Sequence, residues 1–404
     1  MSEKKDYKYK IKRDDSFRFV GRIYGDTPRQ NMKLTKTIVD LDGTSRIVNV
    51  VYKPTLNVRT KSVDIAEGKK TSCEYGEFIA HKMLEKMGIP SCKVEFIKRY
   101  ITNPRSKSGK GNEIPGVLSY IELGEGETLV SAQTVISRFK QNHKKEFFDI
   151  IEIDDRFRSS YNLDNFNDIN NNNIEVVIPA FMTFVKEDCR GTNKKAEEIK
   201  QSIIDMVTFD CMFANRDRHS ENYGLALSSK NGKVRFYPLY DNEYILGFSE
   251  PEKDIGKYSA TGLQEHINND LYSVMGVNSK PAQLSASAMM AYLFSTYPME
   301  TQKAYEKVAK FTVKDLEELM DECEGLPETH KAYALRIFKL RSREIETIEQ
   351  EFIDKEGKPI LQKHLPGNKP NEHVKGSGSS NIRRSETNSR SSRSPKKGSP
   401  SLDD

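Results

Sequence analysis

The residues best placed to do chemistry are Asp217, Asn222 and Asp241, in the stretch A-N-R-D-R-H-S-E-N-Y-G-L-A-L-S-S-K-N-G-K-V-R-F-Y-P-L-Y-D-N-E from Ala214 to Glu243. Tyr223 to Leu227 and Val234 to Leu239 read as two short strands joined through Asn231-Gly232, a hairpin signal. Asn222 precedes the first strand and Asp241 follows the second, so antiparallel pairing brings both to the open end of the hairpin. Asp217 lies in the loop before them, and three oxygen-bearing side chains converge. Magnesium takes hard oxygen ligands and keeps positions for water and phosphate. Asn222 with Asp241 suits that demand and leaves Asp217 as a base for a hydroxyl proton.

Asp, Asn and His also populate ordinary capped turns. The hairpin and the later acid set this loop apart. No G-x-x-x-x-G-K-[ST] loop, H-E-x-x-H or G-x-S-x-G in a strand-turn-helix setting competes with it. His219 reads as a structural loop residue. Arg216 and Arg218 read either as solvated charges or as partners for a phosphate.

The spacing of Asp217, Asn222 and Asp241 follows the catalytic-loop logic of protein kinases. At D-R-H-S-E-N-Y-G, P-L-Y-D and the helical E-F-I-A-H-K-M-L-E-K-M-G-I-P, the sequence resembles the HipA-like serine/threonine kinases, and more distantly the phosphatidylinositol kinases. The resemblance covers most of residues 40 to 350. It implies an α+β, two-lobed protein-kinase-like fold that binds ATP with Mg2+ and transfers the γ-phosphate to Ser or Thr of a protein, autophosphorylation included. Asp217 would be the catalytic aspartate, Asn222 and Asp241 the metal ligands, and Lys53 the lysine on the phosphates. Glu77 would be the helix partner of Lys53, with Glu74 one turn earlier as its competitor. Ser119, Tyr120, Ile121, Glu122 and Leu123 would form the hinge where adenine docks. A lipid or small-molecule kinase and a pseudokinase scaffold are the rival readings. The chain departs from the HipA toxin in lacking a match to its additional N-terminal subdomain. No clear glycine-rich loop precedes Lys53, where only Gly43 offers itself.

These residues need elements to hold them. S-F-R-F-V-G-R-I-Y, T-K-T-I-V-D-L and S-R-I-V-N-V-V-Y-K are rich in β-branched and aromatic residues and read as strands, with Asp42-Gly43 turning between the last two. Glu74 to Met87 carries a helical apolar stripe that Gly88-Ile89-Pro90 ends. C-K-V-E-F-I returns to a strand, Thr102 to Asn112 reads as a loop, and Val117 to Leu123 is extended. Asn162 to Asn173 reads as a surface insertion. Ile199, Ile203, Met206, Val207 and Cys211 form one buried helical face leading into the Asp217 loop. Helical patterns recur at Pro281 to Tyr297, Met299 to Phe311, Val313 to Cys323 and Pro327 to Glu349. The resulting division is an N-lobe over 1–124, a helical C-lobe over 125–365 and a tail over 366–404. The stretch after Asp241, Gly247 to Thr261, takes the place of an activation segment and offers Ser249, Ser259 and Thr261 for phosphorylation.

The 404 residues, 36% hydrophobic and 30% charged, suffice for two lobes around a cleft and contain no run apolar enough to cross a bilayer. Five cysteines without a C-x-x-C pair read as reduced structural thiols. The polar start M-S-E-K-K-D-Y-K-Y-K is not a secretory signal, which predicts a cytoplasmic protein unless a specialised route exports it. Of the net charge of +5, the tail from Pro366 holds 8 − 4 = +4, with eight Lys or Arg against four Asp or Glu. Nucleic-acid contact is therefore expected to be weak and confined to this basic tail. The expected macromolecular partner is a protein substrate of unread identity. The tail's Gly, Ser, Asn, Arg and Pro cannot bury enough apolar surface to offset the entropy of ordering, so it reads as disordered. Truncation after Pro366 is expected to leave the thermal transition and basal ATP turnover nearly unchanged. A truncated protein that no longer folds would contradict that boundary.

Overall fold

The computed structural model describes residues 8–9, 12–14, 16–22, 31–39, 43–54, 72–102, 111–151, 173–257, 262 and 284–355. The chain divides into compact units 1–368 and 369–404, and every described residue lies in the first. The tail and most of the Asn-rich stretch lie outside the described residues, as do Ser259 and Thr261.

The N-terminal part is a six-stranded sheet of β1 (Lys12–Arg13), β2 (Arg18–Arg22), β3 (Met32–Val39), β4 (Ser45–Pro54), β5 (Val94–Thr102) and β6 (Gly111–Tyr120), in the order β1-β5-β6-β4-β3-β2. Helix α1 (Cys73–Met87) follows β4 and ends at Gly88, whose φ of 70° gives the left-handed cap the sequence pattern implied. Strand periodicity decides which way the β4 side chains face. Val48, Val50 and Tyr52 enter one small core with Phe17, Leu34, Ile97 and Leu118, while Lys53, one residue out of phase, faces α1.

The register places Gly43, the glycine that offered itself for a phosphate loop, away from Lys53. Gly43 does turn β3 into β4, with φ 82° and Val39 opposite Ser45, but Met32 pairs with Tyr52 at the other end of the hairpin. At a rise of about 3.3 Å per residue, Gly43 lies roughly 25 Å along the strand from Lys53.

Beyond β6 come β7 (Glu127–Ser131), α2 (Ala132–Asn142), α3 (Lys144–Ile151), α4 (Ile174–Thr183), which runs into a π-helical turn over Phe184–Asp188, and α5 (Asn193–Met212). Strands β8 (Gly224–Ser228) and β9 (Val234–Phe236) form the hairpin read from the sequence, and β7 adds to it as a third antiparallel strand. The rest is helical: α6 (Glu252–Ile255), α7 (Ala286–Thr296), α8 (Pro298–Val308), α9 (Val313–Asp321) and α10 (Glu328–Asp354). A continuous apolar core runs from α1 through α5 to α10. This is the mixed architecture expected, a β-rich N-terminal region followed by a mainly helical one. No helix among the described residues is long and apolar enough to cross a membrane.

Two features fix α1 over the hairpin. The Tyr75 hydroxyl donates to the Glu324 carbonyl at 2.9 Å, and Lys86 pairs with Asp315 at 2.5 Å, tying the helix to the α9 region. Gly76 lets it approach the segment after β9, because a Cβ there would lie 2.4 Å from the Glu243 carbonyl oxygen. The next residue, Glu77, is thereby pressed against that segment.

Candidate active site

The loop from Asp217 to Asn222 is built around one arginine. Arg218 is 1% exposed and uses all five of its N–H donors. Nε and Nη2 donate to the two carboxylate oxygens of Asp210 at 2.9 and 3.1 Å, and Nη1 donates to the carbonyls of Asn222 and Tyr240, both at 3.0 Å. Nη2 also donates to Asn242 Oδ1. Arg218 thus clamps Asn222, two residues before β8, to the residues flanking Asp241, and holds both to the end of α5. This removes it as a phosphate ligand and excludes the solvated alternative. Arg216 is likewise engaged, 2.9 Å from Glu250 in the segment after Asp241. Neither arginine can meet a phosphate on Ser249, Ser259 or Thr261 without leaving a carboxylate.

Local bonds finish the loop. Asn215 donates to Asp210 Oδ1 at 2.8 Å and accepts from the Asp217 amide at 3.2 Å. The His219 amide donates to the Asp217 carbonyl and the Asn222 amide to the His219 carbonyl, each at 2.9 Å. The His219 ring accepts from the Glu221 amide at 3.3 Å, in keeping with a structural role. Asn222 Nδ2 donates to the Asp217 carbonyl at 2.7 Å, which leaves Asn222 Oδ1 as the atom available to a ligand. Asp241 has φ 57°, uncommon for a non-glycine residue and a form of backbone strain that tends to persist at functional sites.

Lys53 crosses from the sheet to this loop. Its Nζ lies 2.6 Å from Asp241 Oδ1 and 2.7 Å from Glu77 Oε2, with Lys53 8% and Glu77 1% exposed. Glu77, not Glu74, is therefore the helix partner. Burial alone would lower the Lys53 pKa, but Asp241 and Glu77 together hold it well above the ordinary range, so the ammonium stays charged. Asp241 moves the other way: burial raises it, yet Lys53, with Arg218 and His219 adding to its pull, keeps the carboxyl below the usual range. Asp217 is raised, chiefly by burial, against the pull of His219 and with the neighbouring Asp241 and Glu243 charges adding to the rise. Two nearby carboxylates are thus pushed apart, Asp241 toward its ionised form and Asp217 toward a higher pKa.

In the hinge stretch, Ser119 and Tyr120 still belong to β6, opposite Val51 and Val50. The amides of Tyr120, Ile121 and Glu122 are spent on Lys93, Asn49 and the Tyr237 hydroxyl at 2.9, 2.9 and 2.8 Å. An adenine docking here has to use carbonyls of the stretch or donors from Leu123 onward. Leu123 packs with Cys92, Ala226, Tyr237 and Tyr240 in a small apolar cluster joining this stretch to the hairpin.

The structure adds two residues that the sequence reading did not assign. Glu243, 5% exposed, joins Glu77 and Asp241 in a carboxylate group whose ligand atoms lie within 4.8 Å of one another. Its signal in the sequence was an acid two residues after Asp241 in D-N-E. Asp210 is the buried anchor of Arg218, and its signal was an acid beside the apolar stripe of α5, where a buried charge requires a partner. The oxygen-only donor set of Asn222 Oδ1 and Asp241, beside a charged lysine, fits a hard divalent cation with phosphate oxygens.

No protein-family model matches the chain, and no curated protein matches its sequence. Among solved structures, HipA in the Shewanella oneidensis MR-1 toxin–antitoxin complex of HipA, HipB and operator DNA aligns over 87% of this chain and 68% of its own. Its identity is 11% and its TM-score 0.41, too distant to support an argument. The Helicobacter pylori proinflammatory kinase CtkA aligns over 82% of this chain and 94% of its own, at 14% identity and a TM-score of 0.57. At that distance the likeness establishes the fold, and the chain shares the fold of a bacterial kinase.

Proposed function

We propose that this protein is an ATP-dependent kinase that transfers the γ-phosphate to Ser or Thr of a protein, itself included. The observation that carries the reading is the lysine bridge, in which Lys53 joins Glu77 of α1 to Asp241 beside the Asp217–Asn222 loop. Protein kinases require this ion pair and a metal-bearing aspartate together for transfer. Asn222 and Asp241 would hold the divalent cation, which when bound neutralises charge on the phosphate oxygens. Lys53 would contact the phosphates, and Ser119 to Leu123 would border the adenine. Asp217 would orient the acceptor hydroxyl and take its proton late in the transfer. Retention of base, amide and acid at one end of the β8–β9 hairpin supports catalysis over a scaffold role.

Asp241→Ala tests the reading. It is expected to abolish the magnesium dependence of ATP binding together with transfer, because it removes the main ligand and one anchor of Lys53. Calorimetry with and without magnesium reads this directly, and an unchanged metal effect would place the cation elsewhere. Labelled phosphate offered to protein and to phosphatidylinositol vesicles separates the substrate classes. Transfer to lipid alone would overturn the protein assignment.

A further inference from the structure

Two buried carboxylates, Glu77 and Glu243, and the half-buried Asp241 surround one ammonium in this site. Glu77, Asp241 and Glu243 can each place an oxygen within 4.8 Å of the others, and Lys53 contacts one oxygen of Asp241 and one of Glu77. Within this group three negative charges face one positive charge, and Arg218, the cation next to Asp241, is committed to Asp210. Burying an uncompensated charge costs several kcal/mol, so a buried carboxylate oxygen of this group that meets no donor calls for a cation or a shared proton.

Glu77 points to a cation. Its Oε2 lies 2.7 Å from Lys53 Nζ but off the hydrogen-bonding direction, and its Oε1 has no partner at all. A side chain 1% exposed, aimed into an acidic group with an unpartnered oxygen, is an exception to the rule that buried polar atoms are satisfied. The arrangement is also rigid. Gly76 packs on the Glu243 carbonyl, and the Ser72 amide donates to the Phe248 carbonyl at 2.8 Å, so the first turn of α1, just before Glu77, is held against the Asp241–Phe248 segment at two points.

We propose that Glu77, Asp241 and Glu243 form a second divalent-cation site that loads before the nucleotide and independently of it. The donors are hard oxygens, which suits Mg2+ or Mn2+. Lys53 holds one oxygen each of Glu77 and Asp241, leaving the second oxygen of each, with Glu243, for the cation. Asp241 is then shared between this site and the one completed by Asn222 and the phosphates. The site deepens the phosphotransfer reading, on which the naming of ATP as the later ligand rests. Cation binding itself is read without turnover.

The test uses the full chain, nucleotide-free, titrated with Mn2+ alone near pH 7.5 and followed by electron paramagnetic resonance and calorimetry. The parent and Asp217→Asn are each expected to bind one Mn2+ without nucleotide. Glu243→Gln is expected to lose that ion, with affinity weakened at least by the roughly 10- to 100-fold that loss of a supporting group at a metal site produces. Glu243→Asp, which keeps the charge, should retain part of the binding and serves if the Gln variant does not fold. Adding ADP to Glu243→Gln should restore one Mn2+, at the Asn222 and Asp241 position. No Mn2+ bound by the nucleotide-free parent would overturn the proposal and leave a shared proton as the solution. Equal Mn2+ affinity of the parent and Glu243→Gln would overturn it as well. A protein that binds Mn2+ as expected but transfers no phosphate would sink the kinase reading alone.

Discussion

Replacing Asp217 by Asn should lower phosphoryl transfer by about 10²- to 10⁴-fold, the range typical of a general base, while nucleotide affinity stays within a few fold. The side chain faces the reacting hydroxyl in the proposed chemistry and is no part of the Lys53 bridge, so its loss removes a transition-state contact and spares binding. The same assignment fixes a pH dependence. A base acts only when deprotonated, so transfer is lost as pH falls through the Asp217 pKa. Burial and the Asp241 and Glu243 charges hold that pKa above the ordinary 3.8, and the acid limb should begin at a higher pH than for an exposed aspartate. Single-turnover rates across pH for the parent, beside calorimetry of nucleotide binding to both proteins, check each part. A variant as active as the parent would remove Asp217 from the mechanism.

Arg218→Ala should destabilise the fold by about 3–5 kcal/mol, the cost of leaving one member of a buried ion pair without its partner. Asp210 would keep only Asn215 of its side-chain partners named above, and the carbonyls of Asn222 and Tyr240 would each lose a donor. Arg218→Lys should recover little of this, because an ammonium offers three donors from one point where the guanidinium supplies five in a planar fork. Urea titration of the three proteins reads the difference. A loss below about 1 kcal/mol for the alanine variant would show that the clamp is not a structural element of the loop.

These residues also mark how far the sequence could be read. The β8–β9 hairpin, the convergence of Asn222 and Asp241, and the α1 stripe ending at Gly88 depend on local spacing and turn chemistry, which survive without tertiary context. Lys53 and Glu77 are more than twenty residues apart and meet only because β4 and α1 pack together. Periodicity could place each on its element, and the family resemblance was needed to pair them. Arg218 could not be told from a solvated arginine, because its burial is decided by Asp210 and by two carbonyls on separate segments. The sequence shows no clear phosphate loop before Lys53 and offers only Gly43, and the strand register, which sequence does not display, puts that glycine at the far end of β4 from Lys53. Glu243 in D-N-E carries no local signal of its own, since its neighbours Glu77 and Lys53 come from distant parts of the chain.

The most direct test of the account is incubation of the purified full chain with γ-labelled ATP, with and without magnesium, followed by mass spectrometry. The account predicts magnesium-dependent phosphate on Ser or Thr in the parent and none in Asp217→Asn. Absence of transfer to protein by a folded parent that binds ATP and magnesium would contradict it.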